Sequence, residues 1–335
     1  MQYAKLGNTN IEVSRLCIGA MSFGKAGTMH DWTLDEKSSE EIVKHALNLG
    51  INFFDTANIY SDGTSEEYLG RAIKKYAKRD KVIISSKVYF NEGRLKKEAI
   101  LREIDGTLKR LDTDYLDIYI IHRFDYETRI EETMEALNEV VKEGKVRVLG
   151  ASAMYAYQFH NLQMVARDNN FARFEVMQNH YNLIYREDER EMIPLCKQMN
   201  VSLMPYSPLA GGRLARTNWS SDSLRFTTDK VSKNKYDSTM EQDMQIVKRA
   251  EEIAKSKNAT MSQIAIAWLL AKGAVSPIIG ATKAKYLDDA AGAFNINLSS
   301  SDLAYLEELY IPHKIVGAID ENPPQGKIPL QDDKK

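Results

Sequence analysis

Cysteine is scarce in this 335-residue chain: there are two, Cys17 and Cys196, far apart and each inside an apolar stretch. That argues against a disulfide framework or a cysteine-built zinc site, and fits a reducing, cytoplasmic compartment. An excess of one charge is also missing. Lys and Arg number 45 against 47 Asp and Glu, a net of −2, so nothing suggests a nucleic-acid surface or a polybasic patch for a membrane. No apolar run approaches the roughly 20 residues that span a bilayer. The opening MQYAKLGNTN has neither part of a secretion signal. Nor does any strand lead into G-x-G-x-x-G, since the nearest glycines, Gly19, Gly24 and Gly27, are wrongly spaced. These absences leave a soluble, unprocessed protein acting on a small molecule.

What the chain does have is a repeat. Residues 1–14 read as a hairpin about Gly7-Asn8-Thr9-Asn10. Short apolar strands then recur at 16–19, 52–55, 82–87, 116–121, 146–150, 176–178, 202–206 and 275–279. Segments with apolar residues three and four apart lie between them: 39–49, 65–76, 97–111, 130–143, 157–167, 187–199, 241–255 and 283–291. Ser65 stands as the N-cap of the second, ahead of Glu66 and Glu67. Eightfold strand and helix alternation predicts a (β/α)8 TIM barrel, here a single domain over 1–335, rather than an open doubly wound sheet. Additions to the repeat are a long polar excursion at 207–240, a candidate lid, extra C-terminal helices at 262–270 and 299–310, and a loosely held tail at 313–335.

In such a barrel the chemistry sits at the C-terminal ends of the strands. Strand two ends in Asp55 and its loop carries Tyr60; strand three ends in Lys87; strand four runs into His122. Each has a bland reading as a turn former, a surface phenol, a snorkelling lysine or a structural histidine. Four on one rim point to function. A cation beside a phenol favours the phenolate, so Lys87 is expected to lower the pKa of Tyr60, with Asp55 holding the ammonium charged. His122 would direct a carbonyl oxygen. Such a phenol can protonate a carbonyl oxygen, but no side chain delivers hydride to the carbon, so the site implies a nicotinamide cofactor.

The later strands offer groups to hold it. Ser152 and Gln178 can bond a carboxamide, and Tyr206 can stack on the ring. Ser207, Leu209, Gly211 and Arg213 lie along a pyrophosphate-sized loop, with Arg216 a further cation, and Gly280-Ala281-Thr282-Lys283 forms a second phosphate-sized turn after strand eight. Alone, each of these is an ordinary turn.

Together the stretches GINFFDTANIYSDGTSEEYLGRAI, SSKV, LKRLDTDYLDIYIIHRFD, EGKVRVLGAS, MQNHYNLIYRE and PYSPLAGGRL resemble the aldo-keto reductases, closest to their YajO-type and aryl-alcohol dehydrogenase-like branches, over about residues 3–313. The resemblance implies NADP(H)-dependent reduction of aldehydes or ketones, with Tyr60 as acid, Lys87 and Asp55 tuning it and His122 orienting the carbonyl. It also implies cofactor contacts at Gly19 and Met21, at Asp55, Ser152 and Gln178, at Tyr206, from Ser207 to Arg213, and at Gly280, Thr282, Lys283, Tyr286 and Asp289. Two departures stand out. Ala153 follows Ser152 where many members have Asn, and Tyr286 and Ala290 replace the usual Arg and Asn at the adenosine end, which leaves use of NADH open.

Phe23, Trp32, Tyr89, Phe90 and Phe124 form an aromatic wall suited to aryl carbonyl substrates, while Arg123 suits a carboxylate or phosphate on the substrate. Two other functions fit the same residues. An aldolase would use Lys87 as a Schiff-base nucleophile; a redox-sensing regulator like the potassium-channel β subunits would bind NADP(H), turn over slowly and have a protein partner.

Overall fold

Each apolar run becomes a strand because both of its faces find cover. The computed structural model of the protein describes residues 1–219 and 227–316. Strands β1 (Tyr3–Lys5) and β2 (Glu12–Ser14) form the antiparallel hairpin, with Tyr3 opposite Ser14. Eight strands follow: β3 (Cys17–Gly19), β4 (Phe53–Asp55), β5 (Ile83–Val88), β6 (Leu116–Ile121), β7 (Val146–Ser152), β8 (Phe174–Gln178), β9 (Ser202–Leu203) and β10 (Ile278–Gly280). They make one parallel sheet in the order β10-β3-β4-β5-β6-β7-β8-β9. The two ends of that order meet where the N–H groups of Val275 and Ile278 donate to the carbonyls of Leu203 and Pro205, both at 2.9 Å. The result is a (β/α)8 barrel, ringed by α1 (Glu36–Asn48), α2 (Thr64–Tyr76), α3 (Lys97–Leu111), α4 (Ile130–Lys142), α5 (Ala156–Asp168), α6 (Met192–Gln198) and the helices beyond.

Side chains alternate across each strand, so one phase fills the cylinder and the other meets the helices. The inner phase includes Cys17, Phe53, Ile83, Ile118, Ile120 and Val176, and Leu6, Ile11 and Val13 of the hairpin pack against it. Ile18, Phe54, Ile84, Tyr119 and Met177 belong to the outer core. Burying one such side chain is worth about 1.5–3 kcal/mol, and a one-residue slip would turn both faces inside out. Further along the same inner phase, two or four residues on, stand Gly19, Asp55, Lys87, His122, Ser152, Gln178, Tyr206 and Gly280. A third cluster, around Trp268, seats the helices Met240–Ser256, Met261–Ala271 and Ser300–Glu307.

Several boundaries differ from expectation. The seventh barrel strand stops at Leu203 rather than 206, because Pro205 has no N–H to give the ladder, and Tyr206 pairs only through an isolated bridge to His180. The sixth barrel helix begins at Met192, not 187: Pro194 is tolerated only in a first turn, so Glu187–Glu189 forms a separate 3-10 turn. Ser65 is not a cap. Helix α2 starts at Thr64 behind Gly63 (φ 81°), and the Ser65 hydroxyl donates instead to the Ala20 carbonyl at 2.7 Å. The excursion at 207–240 carries the turn Ala210–Ala215 and the helix Lys230–Tyr236, with 220–226 outside the described residues. The tail is anchored at its start. His313 is buried, with its N–H 2.7 Å from Glu187 Oε1 and its Nε2 2.8 Å from Asp243 Oδ1. Residues 317–335 lie outside the described part.

Candidate active site

Inner-phase positions on adjacent strands bring the rim residues together. Lys87 is wholly buried, and its Nζ donates to Asp55 Oδ2 at 2.6 Å, to the Thr56 carbonyl at 2.6 Å and to Tyr60 Oη at 3.2 Å. An ammonium has three protons to give, and all three are placed. The other Asp55 oxygen, Oδ1, accepts from Ser85 Oγ at 2.7 Å and Gln178 Nε2 at 3.0 Å. Tyr60 opens a turn, Tyr60–Gly63, in which Ser61 and Asp62 hold left-handed φ values of 49° and 54°. That conformation costs an L-residue about 1–2 kcal/mol. It is kept in place in part by Ser61 Oγ donating to the Phe23 carbonyl at 2.9 Å.

Electrostatics assign the protonation states. Burial alone would push the Lys87 ammonium down, but Asp55 and then Tyr60 outweigh it and hold the group above its ordinary value. For Tyr60 the outcome is opposite to the expectation from sequence. Burial raises the phenol more than Lys87 lowers it, so Tyr60 titrates above its usual range and is protonated at neutral pH. Burial, followed by the charges of Lys87 and Arg123, keeps His122 well below the ordinary histidine value and therefore neutral. Its Nδ1 is enclosed without a partner, and its ring meets Tyr60 and Phe90 edge-on at 5.9 and 5.0 Å.

Around this centre the structure sorts the residues expected to hold a cofactor. Tyr206 is half-buried and stacks on His180 (5.2 Å, 10°), which stacks in turn on Tyr185 (4.1 Å, 15°). Beyond it Ser207, Ala210, Gly211 and Gly212 all have positive φ, a backbone fold that gathers N–H groups. Gly19 and Gly280 are register partners; a side chain on Gly280 would meet nothing within 4 Å, whereas one on Gly19 would strike Ile278. Met21 and Thr282 are half-buried; Lys283 and Tyr286 are exposed. Ser152 and Gln178 sit side by side on β7 and β8.

Besides Asp55 and Gln178, which bond each other, three of these residues are already engaged. Arg213, expected along the pyrophosphate, is buried, donates to Ser232 Oγ at 2.7 Å and pairs with Asp237. Its charge therefore ties two parts of the excursion together. Asp289 accepts from Thr260 Oγ1 at 2.8 Å, at the start of the helix Met261–Ala271, and Leu209 packs against the core.

Asn179 was not foreseen. The β7–β8 register pairs Ser152 with Gln178, and one step on it brings Asn179 level with Ala153. Asn179 is 2 % exposed, and neither its Nδ2 nor its Oδ1 has a hydrogen-bond partner. With Ala153, Tyr206 and Asp188 it borders a small cavity. Burial pushes the Asp188 carboxyl up to about 6, against an opposing pull from nearby Asn179, although no hydrogen bond of good geometry joins them. An unpaired carboxamide facing the gap left by Ala153, beside a half-exposed Tyr206 and a positive-φ loop, fits a nicotinamide dinucleotide.

The aromatic wall is only partly as expected. Phe23 and Phe124 are buried in the outer core and offer no wall. Trp32 is nearly buried against His30, with ring centroids 4.6 Å apart. Tyr89 meets Phe90 edge-on at 5.1 Å, and the Arg123 guanidinium lies 4.8 Å from the Phe90 centroid.

The chain's relatives identify its family. The profile of the Aldo/keto reductase family matches residues 15–311. The chain belongs to the aldo-keto reductase family. It is 41 % identical over 340 residues to the versiconal hemiacetal acetate reductase of Aspergillus parasiticus, covering 94 % of this chain and 98 % of that one. It is also 41 % identical over 348 residues to a Schizosaccharomyces pombe protein provisionally named as an aryl-alcohol dehydrogenase, covering 95 % and 98 %. Among solved structures, a thermostable aldo-keto reductase crystallised with the inhibitor epalrestat superimposes with a TM-score of 0.75 at 31 % identity, over 92 % of this chain and all of that one. This aldo-keto reductase is thus an oxidoreductase of the carbonyl-reducing kind, in a family that works with NAD(P)H on small molecules. Among the described residues no helix is long and apolar enough to cross a membrane, and no group of three His, Cys, Asp or Glu could hold a metal.

Proposed function

We propose that this aldo-keto reductase reduces aldehydes and ketones to alcohols with NADPH, using Tyr60 as the proton donor. The observation that carries the reading is the fully buried Lys87 ammonium bonded at once to Asp55, the Thr56 carbonyl and Tyr60 Oη. The bound nicotinamide would supply hydride to the carbonyl carbon. Tyr60, protonated because burial outweighs its cation, gives its proton to the carbonyl oxygen as negative charge gathers there. The phenolate left behind lies against Lys87, and Asp55 keeps that ammonium charged. Neutral His122 donates a hydrogen bond that sets the direction of the carbonyl.

For the cofactor, Tyr206 offers a stacking face, and Ser152 with Asn179 offers partners for the carboxamide. The backbone of 207–212 would receive the pyrophosphate, and exposed Lys283 with Thr282 the 2′-phosphate that favours NADPH over NADH. Tyr286, exposed with Lys285 over its ring at 5.6 Å, would meet the adenine. A redox sensor with the same fold would bind NADPH and scarcely turn over. The test is NADPH oxidation, followed by absorbance over a panel of aldehydes and ketones, with Tyr60→Phe in parallel. The variant should lose about 100-fold or more in kcat, the usual range for a general acid, while still binding NADPH. Equal turnover by both proteins would remove Tyr60 from the mechanism.

A further inference from the structure

The mouth of the site holds one charge that carbonyl reduction does not use. Arg123 follows His122 directly, is half-buried, and makes no hydrogen bond or ion pair among the described residues. A guanidinium with five donors is normally engaged, as Arg79 and Arg147 are on Asp117 and Arg110 is on Glu66. The Arg123 guanidinium carbon lies over the Phe90 ring, 4.8 Å from the centroid. The His122 imidazole meets that same ring at 5.0 Å. Phe90 is itself 38 % exposed. Carbonyl-directing imidazole, open apolar ring and unpaired cation therefore follow one another along a single ledge. The cation is felt at both ends of the site, helping to hold His122 neutral and acting on Tyr206 against the burial that raises its phenol.

We propose that Arg123 determines specificity, and that the preferred substrates are aryl aldehydes or ketones carrying a carboxylate across one ring from the carbonyl. Each part of such a molecule has a counterpart on the ledge. The carbonyl lies at Tyr60 and His122, the ring lies against Phe90, and the carboxylate is received by the guanidinium fork in a two-bond pairing. One ring is the proposed spacer, since imidazole and guanidinium each lie about 5 Å from the same phenyl centroid. A carboxylate matches the single positive charge, whereas a phosphate monoester brings nearly two negative charges. Arg123 touches the substrate but takes no part in moving hydride or proton.

The inference rests on the reductase reading, and one experiment separates the two. Para-carboxybenzaldehyde and its neutral twin, the methyl ester of the same acid, are compared as substrates with NADPH. Their specificity constants are measured for the unaltered protein, Arg123→Met and Arg123→Lys. The unaltered protein should favour the acid at least tenfold, chiefly through a lower Michaelis constant, with the preference shrinking as salt is added. Arg123→Met should bring the acid-to-ester ratio close to one, and Arg123→Lys should restore part of it. Reduction of both compounds without preference overturns the role of Arg123 alone. Equal losses on acid and ester in Arg123→Met also overturn it, since that marks a merely structural residue. Reduction of neither compound, nor of any other aldehyde, overturns the reductase reading and this one together.

Discussion

Asn179 is buried, and neither of its polar atoms makes a hydrogen bond of good geometry. Leaving such a group unsatisfied costs about 1–3 kcal/mol, and a side chain kept at that cost points to a ligand that relieves it. Beside it Ala153 sits at φ 48°, a conformation in which Asn would be at less of a disadvantage. The carboxamide that the family resemblance leads one to expect at 153 is matched here by Asn179 on the neighbouring strand. Asn179→Ala should therefore raise the melting temperature of the free protein and weaken NADPH binding about tenfold, or about 1.4 kcal/mol. Fluorescence titration and thermal melts read these two effects separately. An unchanged dissociation constant would show that the carboxamide has no part in holding the cofactor.

At the scale of elements, the excursion after β9 is a strap fastened to itself. Arg213, in the turn Ala210–Ala215, grips Ser232 on the helix Lys230–Tyr236 and Asp237 just beyond it, and Tyr236 Oη meets His180 Nε2 at 2.7 Å beneath Tyr206. Asp237 is 43 % exposed, so opening its pair should cost little stability, about 1 kcal/mol or less. Asp237→Ala should nonetheless speed release of bound NADPH severalfold in stopped-flow fluorescence, because the two ends of the strap would part. Release at the original rate would mean that the strap does not gate the cofactor. The sequence offered the excursion as a candidate lid but not the pairing that fastens it. Arg213 reads there as a loop cation, since its partners lie 19 and 24 residues further along the chain. Asp55, Lys87 and His122 were legible because strand period and barrel geometry place them together without any side-chain contact being known. Ser85 obeys the same period, two residues before Lys87, and could have been found that way. Phe23 and Phe124 were misplaced because aromatic composition does not reveal which rings the core absorbs.

The whole molecule is set against acid by its buried histidines. His180 is 7 % exposed, and burial, then the charges of Lys235 and His313, keeps it well below the ordinary value. The unfolded chain therefore takes up protons below about pH 6.5 that the folded chain refuses, and stability falls as pH drops. The slope approaches about 1.4 kcal/mol per pH unit for one such histidine. Asp188, raised to about 6, acts in the opposite sense below that pH, since its folded form holds a proton that the unfolded form has released. Thermal melts between about pH 5 and 6.5 should show a slope smaller by close to one proton in His180→Gln than in the unaltered chain. Equal slopes would mean that His180 is charged in the folded protein.

The cylinder, finally, is not equally strong all the way round. From β10 through β3 to β9 neighbours share strand ladders, but among the described residues β9 and β10 are joined by isolated backbone bonds about Leu203 and Pro205. A cask gives way at its weakest stave. When the barrel is forced open, the split begins there, so the strap and the Gly280–Tyr286 end separate first, and the buried knot of Asp55, Lys87 and Tyr60 on the opposite wall comes apart last.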